Sequence, residues 1–78
     1  MKDPPSRDIR IRFGEAVRKR RKELNLSQED FAERAELHRT YISDIERGTR
    51  NVSLENIEKL AKALDLTLPE LIQMVNNQ

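Results

Sequence analysis

The chain has 78 residues, with 15 Lys plus Arg against 14 Asp plus Glu, one His, and neither Cys nor Trp, so it has room for one small domain only. Without cysteine, thiol nucleophiles, thiolate zinc sites and disulfides are excluded, and one His with two isolated Gly supplies no nucleophile–base set, metal-ligand set or phosphate-cradling loop; neither an enzyme nor a cofactor or metal site is expected. Leu, Ile, Val and Phe number 20 of the 78 residues, enough to fold, while no run approaches the ~18 apolar residues of a membrane span. The opening MKDPPSRDIR has no signal-peptide core, so a cytoplasmic location with no membrane partner is expected.

The first segment is a basic one. Residues 1–26 hold nine basic and four acidic side chains, residues 27–48 three and six, and residues 49–78 three and four. Pro4 and Pro5 make a poor helix start, which predicts a flexible N-terminal arm over residues 1–7. A first helix is expected from about Asp8, with Phe13, Val17 and Leu24 as its apolar stripe and Asn25 as a left-handed end. Ser27-Gln28-Glu29-Asp30 is a cap followed by an acid three residues on, opening a second helix of about two turns through Phe31, Ala32 and Ala35. A third runs from about His38 to Arg47, carried by Ile42 and Ile45 and stopped at Gly48. Ser53 caps a fourth, with the stripe Leu54, Ile57, Leu60, Ala61 and Leu64. Thr67-Leu68-Pro69-Glu70 is a full capping box that opens a fifth through Leu71, Ile72 and Val75. No β-branched alternation or hairpin turn is present. The expected fold is all-α, a single five-helix domain over residues 8–78.

Two charges fall on apolar stripes. Arg21 follows Val17 by four residues, and Glu46 follows Ile42 by four, so each faces inward on its helix. An unpaired charge there is expensive. A buried or half-buried Arg21–Glu46 ion pair is the economical solution, and Arg21 is then unavailable to phosphates.

Two short helices joined by about three residues, Ala35 to Leu37, fit a helix-turn-helix. The string Leu26-Ser27-Gln28, Phe31-Ala32, Ala35, Leu37, Ile42, Ile45-Glu46-Arg47-Gly48 resembles the lambda- and 434-repressor-like (XRE-type) helix-turn-helix family over roughly residues 13–72. Within that family, Leu37-His38-Arg39-Thr40-Tyr41-Ile42-Ser43 and Arg50-Asn51-Val52-Ser53-Leu54 look most like the controller proteins of restriction–modification systems. The sequence departs from the family at Glu36, where Gly is common, which predicts a strained turn.

The resemblance implies a regulator of transcription that binds double-stranded DNA and has no small-molecule substrate. It implies the same Arg21–Glu46 pair, and it makes helix three the recognition helix. Arg39, Thr40, Ser43 and Asp44 are then the candidate base-contacting residues, with Arg47 on the same face. Arg39 is the first of them, because its fixed donors suit guanine O6 and N7. Ser27, Gln28, Tyr41, Arg50 and Asn51 are the candidate phosphate contacts, two of them at a helix N-terminus where free N–H groups meet anions. Arg7, Arg10, Arg12, Arg18 and Lys22 add weaker, salt-sensitive attraction. Leu68, Leu71, Ile72 and Val75 offer more apolar surface than a short terminal helix can bury, which predicts a homodimer through helix five and a pseudo-palindromic operator. The alternative is a helix-turn-helix antitoxin that holds a protein toxin and represses its own operon.

Overall fold

The computed structural model describes residues 8–78; the expected arm, residues 1–7, lies outside the described residues. Five helices follow in order: α1 (Ile9–Glu23), α2 (Gln28–Ala35), α3 (Arg39–Glu46), α4 (Leu54–Ala63) and α5 (Leu68–Asn76). There is no strand among the described residues. The expected all-α, five-helix architecture is what the described residues adopt.

The connections share one local device. Asn25, Glu36 and Asp65 each take a left-handed backbone, with φ of 58°, 59° and 58°, and each is followed by a leucine and then by the residue that caps the next helix. The leucine N–H reaches back to a carbonyl of the last helical turn in all three: Leu26 to Arg21 at 3.1 Å, Leu37 to Ala32 at 2.9 Å and Leu66 to Ala61 at 2.9 Å. This Schellman closure satisfies carbonyls that the helix end would leave unpaired. Glu36 carries the strain expected for a side chain in the left-handed region, roughly 1–2 kcal/mol. Gly48, with φ of 78°, closes α3 in the same way, Thr49 N–H donating to the Asp44 carbonyl at 3.1 Å.

Helix starts are fixed by side-chain oxygens. Ser27, Ser53 and Thr67 accept from Asp30, Asn56 and Glu70 N–H at 2.9, 3.1 and 3.2 Å, and the Glu70 carboxylate accepts from Thr67 N–H at 2.9 Å. His38 occupies the cap position of α3 without a side-chain hydrogen bond. Asp8 caps α1, and hydrogen bonds from the Arg10 side chain and backbone lower its carboxyl pKa to about 2. The far end of α4 is closed by two arginines, Arg20 Nε donating to the Leu64 carbonyl at 3.0 Å and Arg34 to the Ala63 carbonyl at 3.1 Å. Cations at a helix C-terminus also complement its dipole.

α1 packs against both α3 and α5, α2 against α3 and α4, and α4 against α5. Val17, Phe31, Ile42, Ile45, Leu60, Leu64 and Leu71 form the fully buried centre. Two expectations are corrected here. Leu54, placed on the apolar stripe of the fourth helix, is 83% exposed, because it is the first residue of α4 and precedes the turn that meets the core. Leu71 and Val75, expected at a dimer surface, are buried in the protomer's own core, since α1 and α4 both present apolar faces to α5. Only Leu68 and Ile72 of that set, 40% and 46% exposed, remain outside.

Gly14 lies where α1 crosses the end of α3. A Cβ at this position would stand 2.3 Å from the Ile45 carbonyl oxygen and 2.9 Å from that of Glu46, both backbone atoms that cannot swing away. Gly14→Ala gains about 1 kcal/mol in helix propensity but forces the two helices apart, at ~1–3 kcal/mol for overpacking. The expected outcome is a lower urea midpoint than wild type; a higher one would contradict this close approach.

Candidate nucleic-acid interface

The helix-turn-helix is held from beneath by a buried polar cluster. Arg21 Nε and one terminal nitrogen donate to the two oxygens of Glu46 at 2.7 and 3.0 Å, a bidentate pair with the Glu46 side chain only 4% exposed. The other terminal nitrogen donates to the Leu26 carbonyl at 2.8 Å, and Gln28 Nε2 donates to Glu46 Oε1 at 3.1 Å. α1, the α1–α2 junction, the start of α2 and the end of α3 therefore meet at one ion pair. The pair inferred from the apolar stripes is present.

α3 leaves its first turn and its outer face toward solvent. Arg39 and Thr40 are exposed at its first turn and Ser43 is half-buried beside them. Asp44 is arranged differently from a free reader. Its Oδ1 accepts from Arg47 and its Oδ2 from Arg50 Nε at 3.2 Å, which leaves the carboxylate 18% exposed. Arg47 also donates to Ser43 Oγ at 3.2 Å. The Arg50 guanidinium stacks 5.0 Å from the centre of the Tyr41 ring, a cation–π arrangement. The Tyr41 hydroxyl accepts from Asn56 Nδ2 at 3.1 Å.

The candidate phosphate contacts divide into two groups. Tyr41, Arg50 and Asn51 lie at or beside the α3–α4 connection, where Arg50 and Asn51 are exposed. Ser27 and Gln28 lie at the start of α2, where both side chains already have partners: Ser27 Oγ caps the helix and Gln28 is bonded to Glu46. What these two offer a phosphate is the helix N-terminus itself. Sequence reasoning missed Asn56, whose place behind Tyr41 has no local signal, and the structural use of Arg20 within the basic run 18–22. Arg20 and Arg21 are both engaged internally, so the part of that run left facing solvent is Arg18, Lys19 and Lys22. The described residues contain no helix long and apolar enough to cross a membrane.

Residues 17–71 match the family described as Helix-turn-helix, and the chain belongs to that family. Within it the chain groups with the control proteins. It is 58% identical to control protein C.BamHI of Bacillus amyloliquefaciens over 66 residues, 83% of this chain and 82% of that protein. Among solved structures, the restriction-modification controller protein C.AhdI from Aeromonas hydrophila superposes with a TM-score of 0.77 at 48% identity, covering 80% of this chain and 94% of that one. The controller protein C.Esp1396I, determined as a tetramer in complex with its natural 35 base-pair operator, superposes with a TM-score of 0.84 at 30% identity, covering 92% of this chain and 95% of that one.

Breaking the buried pair leaves the other charge without a partner. Glu46→Ala or Arg21→Ala is expected to cost ~3–5 kcal/mol in urea unfolding, and a loss below about 1 kcal/mol for both variants, the range of exposed pairs, would show the cluster to be solvated.

Proposed function

We propose that this protein is a sequence-specific DNA-binding transcriptional regulator that acts as a homodimer on a pseudo-palindromic operator and controls a restriction–modification system. On this reading it works in the cytoplasm and performs no catalysis. The observation that carries the reading is the division of labour along α3: Ile42, Ile45 and Glu46 fasten its middle and C-terminal end, while Arg39 and Thr40 stand exposed at the N-terminal turn. Residues at that end of a recognition helix reach base edges in the major groove. The start of α2 and the connection through Arg50 and Asn51 flank the helix with phosphate-binding groups. The controller protein C.Esp1396I, similar over nearly the whole chain, was captured on its operator, which supports DNA as the ligand here.

The exposed Leu68 and Ile72, with Ile9 and Val52 at the rim of an adjoining apolar groove, support self-association through α5. Two-fold symmetry would then set the recognition helices about 34 Å apart. Analytical ultracentrifugation without DNA is expected to show a dimer at micromolar concentration. Ile72→Asp should shift it toward monomer, and a wild-type monomer would refute the dimer.

Arg39 is assigned as the principal base reader. Arg39→Ala should lose about 1–3 kcal/mol per half-site and relax the preference at one symmetric G·C position. Binding is titrated at one salt concentration against a duplex selected from random-sequence DNA and its single-base variants. An unchanged ranking of bases at every position would remove Arg39 from the reading face.

A further inference from the structure

Asp44 is an acid on the surface that, on the regulator reading above, approaches a polyanion. A bare carboxylate there would repel phosphate and lower affinity for every sequence alike. The structure gives it a different situation: each oxygen is occupied by a different arginine, Arg47 from the same helix and Arg50 from the α3–α4 connection. Both arginines are otherwise well exposed, and Arg50 is held on its far side by the Tyr41 ring. The Asp44 backbone carbonyl accepts from the Thr49 hydroxyl at 3.1 Å and from the Thr49 N–H at 3.1 Å. The same residue thus anchors the connection through its main chain and its side chain.

We infer that Asp44 is a specificity-setting counter-charge: it holds Arg47 and Arg50 in fixed positions beside α3 and cancels half of their combined charge. Two free guanidinium groups would attract any phosphate backbone, and their flexible side chains would adapt to any register. Clamped by one carboxylate, the cluster carries a single net positive charge and a defined geometry. Sequence-blind attraction falls, and only DNA whose phosphates meet the clamped guanidinium groups gains their full contacts. Asp44 is therefore a positioning residue that acts through its two arginines, in place of the base contact expected from the sequence.

The inference rests on the DNA-binding reading, and the experiment separates the two. Wild type, Asp44→Asn, Arg47→Gln/Arg50→Gln and the triple variant are titrated by fluorescence anisotropy over a sodium chloride series. The probes are a duplex selected from random-sequence DNA by the wild-type protein and a scrambled duplex of equal length. Asp44→Asn is expected to bind the scrambled duplex about tenfold more tightly near 0.1 M salt, with the salt slope steeper by about 0.9 per protomer. The selected duplex gains only about twofold, so discrimination between the two falls roughly fivefold. In the Arg47→Gln/Arg50→Gln background the same replacement should leave discrimination unchanged, which a general structural role of Asp44 would not produce. Equal gains on both duplexes, or an unchanged salt slope, would overturn the inference. A wild-type protein that does not distinguish the two duplexes would overturn the regulator reading and this inference with it. Should Asp44→Asn fail to fold, Asp44→Ser carries the same measurement; the Arg47→Gln/Arg50→Gln protein tests the clamp independently, its discrimination expected to fall and an undiminished value overturning the inference.

Discussion

The Glu46 carboxylate is the point on which the helix-turn-helix turns, because it accepts from Arg21 of α1 and from Gln28 at the start of α2, while Arg21 also donates to the Leu26 carbonyl of the α1–α2 junction. Buried ion pairs add little net stability compared with apolar side chains of the same volume. Their contribution is geometrical, since a guanidinium fork and a carboxylate bond well in only one relative orientation. Seven residues bring a helix almost back to the same azimuth, so Glu46 and Arg39 share one side of α3 about two turns apart. Fixing the rotation of α3 at Glu46 therefore fixes the direction in which Arg39 leaves it. Gly14 contributes to the same constraint by letting α1 approach the last α3 carbonyls.

What the sequence made legible follows from periodicity and capping. The stripes through Phe13 and Val17 and through Ile42 and Ile45 located Arg21 and Glu46 on inward faces, and a charge on an inward face requires a partner. The Ser27, Ser53 and Thr67 caps located three helix starts, because a hydroxyl before an apolar period has few other uses. The recurrence of a left-handed residue, a leucine and a cap at three junctions was only half visible. Asn25 and Asp65 are residue types that tolerate a left-handed backbone; Glu36 is not, and packing of the following leucine against the core holds it there against backbone preference.

The features that escaped sequence reasoning depend on which faces meet. Nothing local distinguishes Leu71 from Ile72: one is completed by the helices beneath α5, the other is left outside. The apolar surface of the last helix, taken in isolation, does not tell the two apart. The grouping around Asp44 was equally hidden, because charges on an outer face obey no period and their partners arrive from a connection six residues further on. Leu54 shows the complementary error, a residue in phase with a stripe but one turn too early to reach the core.

The distribution of cations ties these observations to the proposed function. The basic run of α1 is partly structural: Arg21 is buried against Glu46 and Arg20 closes the end of α4. Arg34 has a similar duty at Ala63, and Arg47 and Arg50 share one carboxylate. A chain with net charge of +1 whose arginines are so largely engaged presents a modest field to DNA, and sequence-independent affinity scales with the number of phosphates neutralised. Selectivity in such a protein depends on placed contacts more than on attraction. Arg39 differs from these arginines in kind, being exposed at the first turn of a helix whose rotation is already fixed. A guanidinium held in direction by its helix, and not consumed by a neighbouring acid, is the arrangement in which a bidentate contact to one base pair carries the most information.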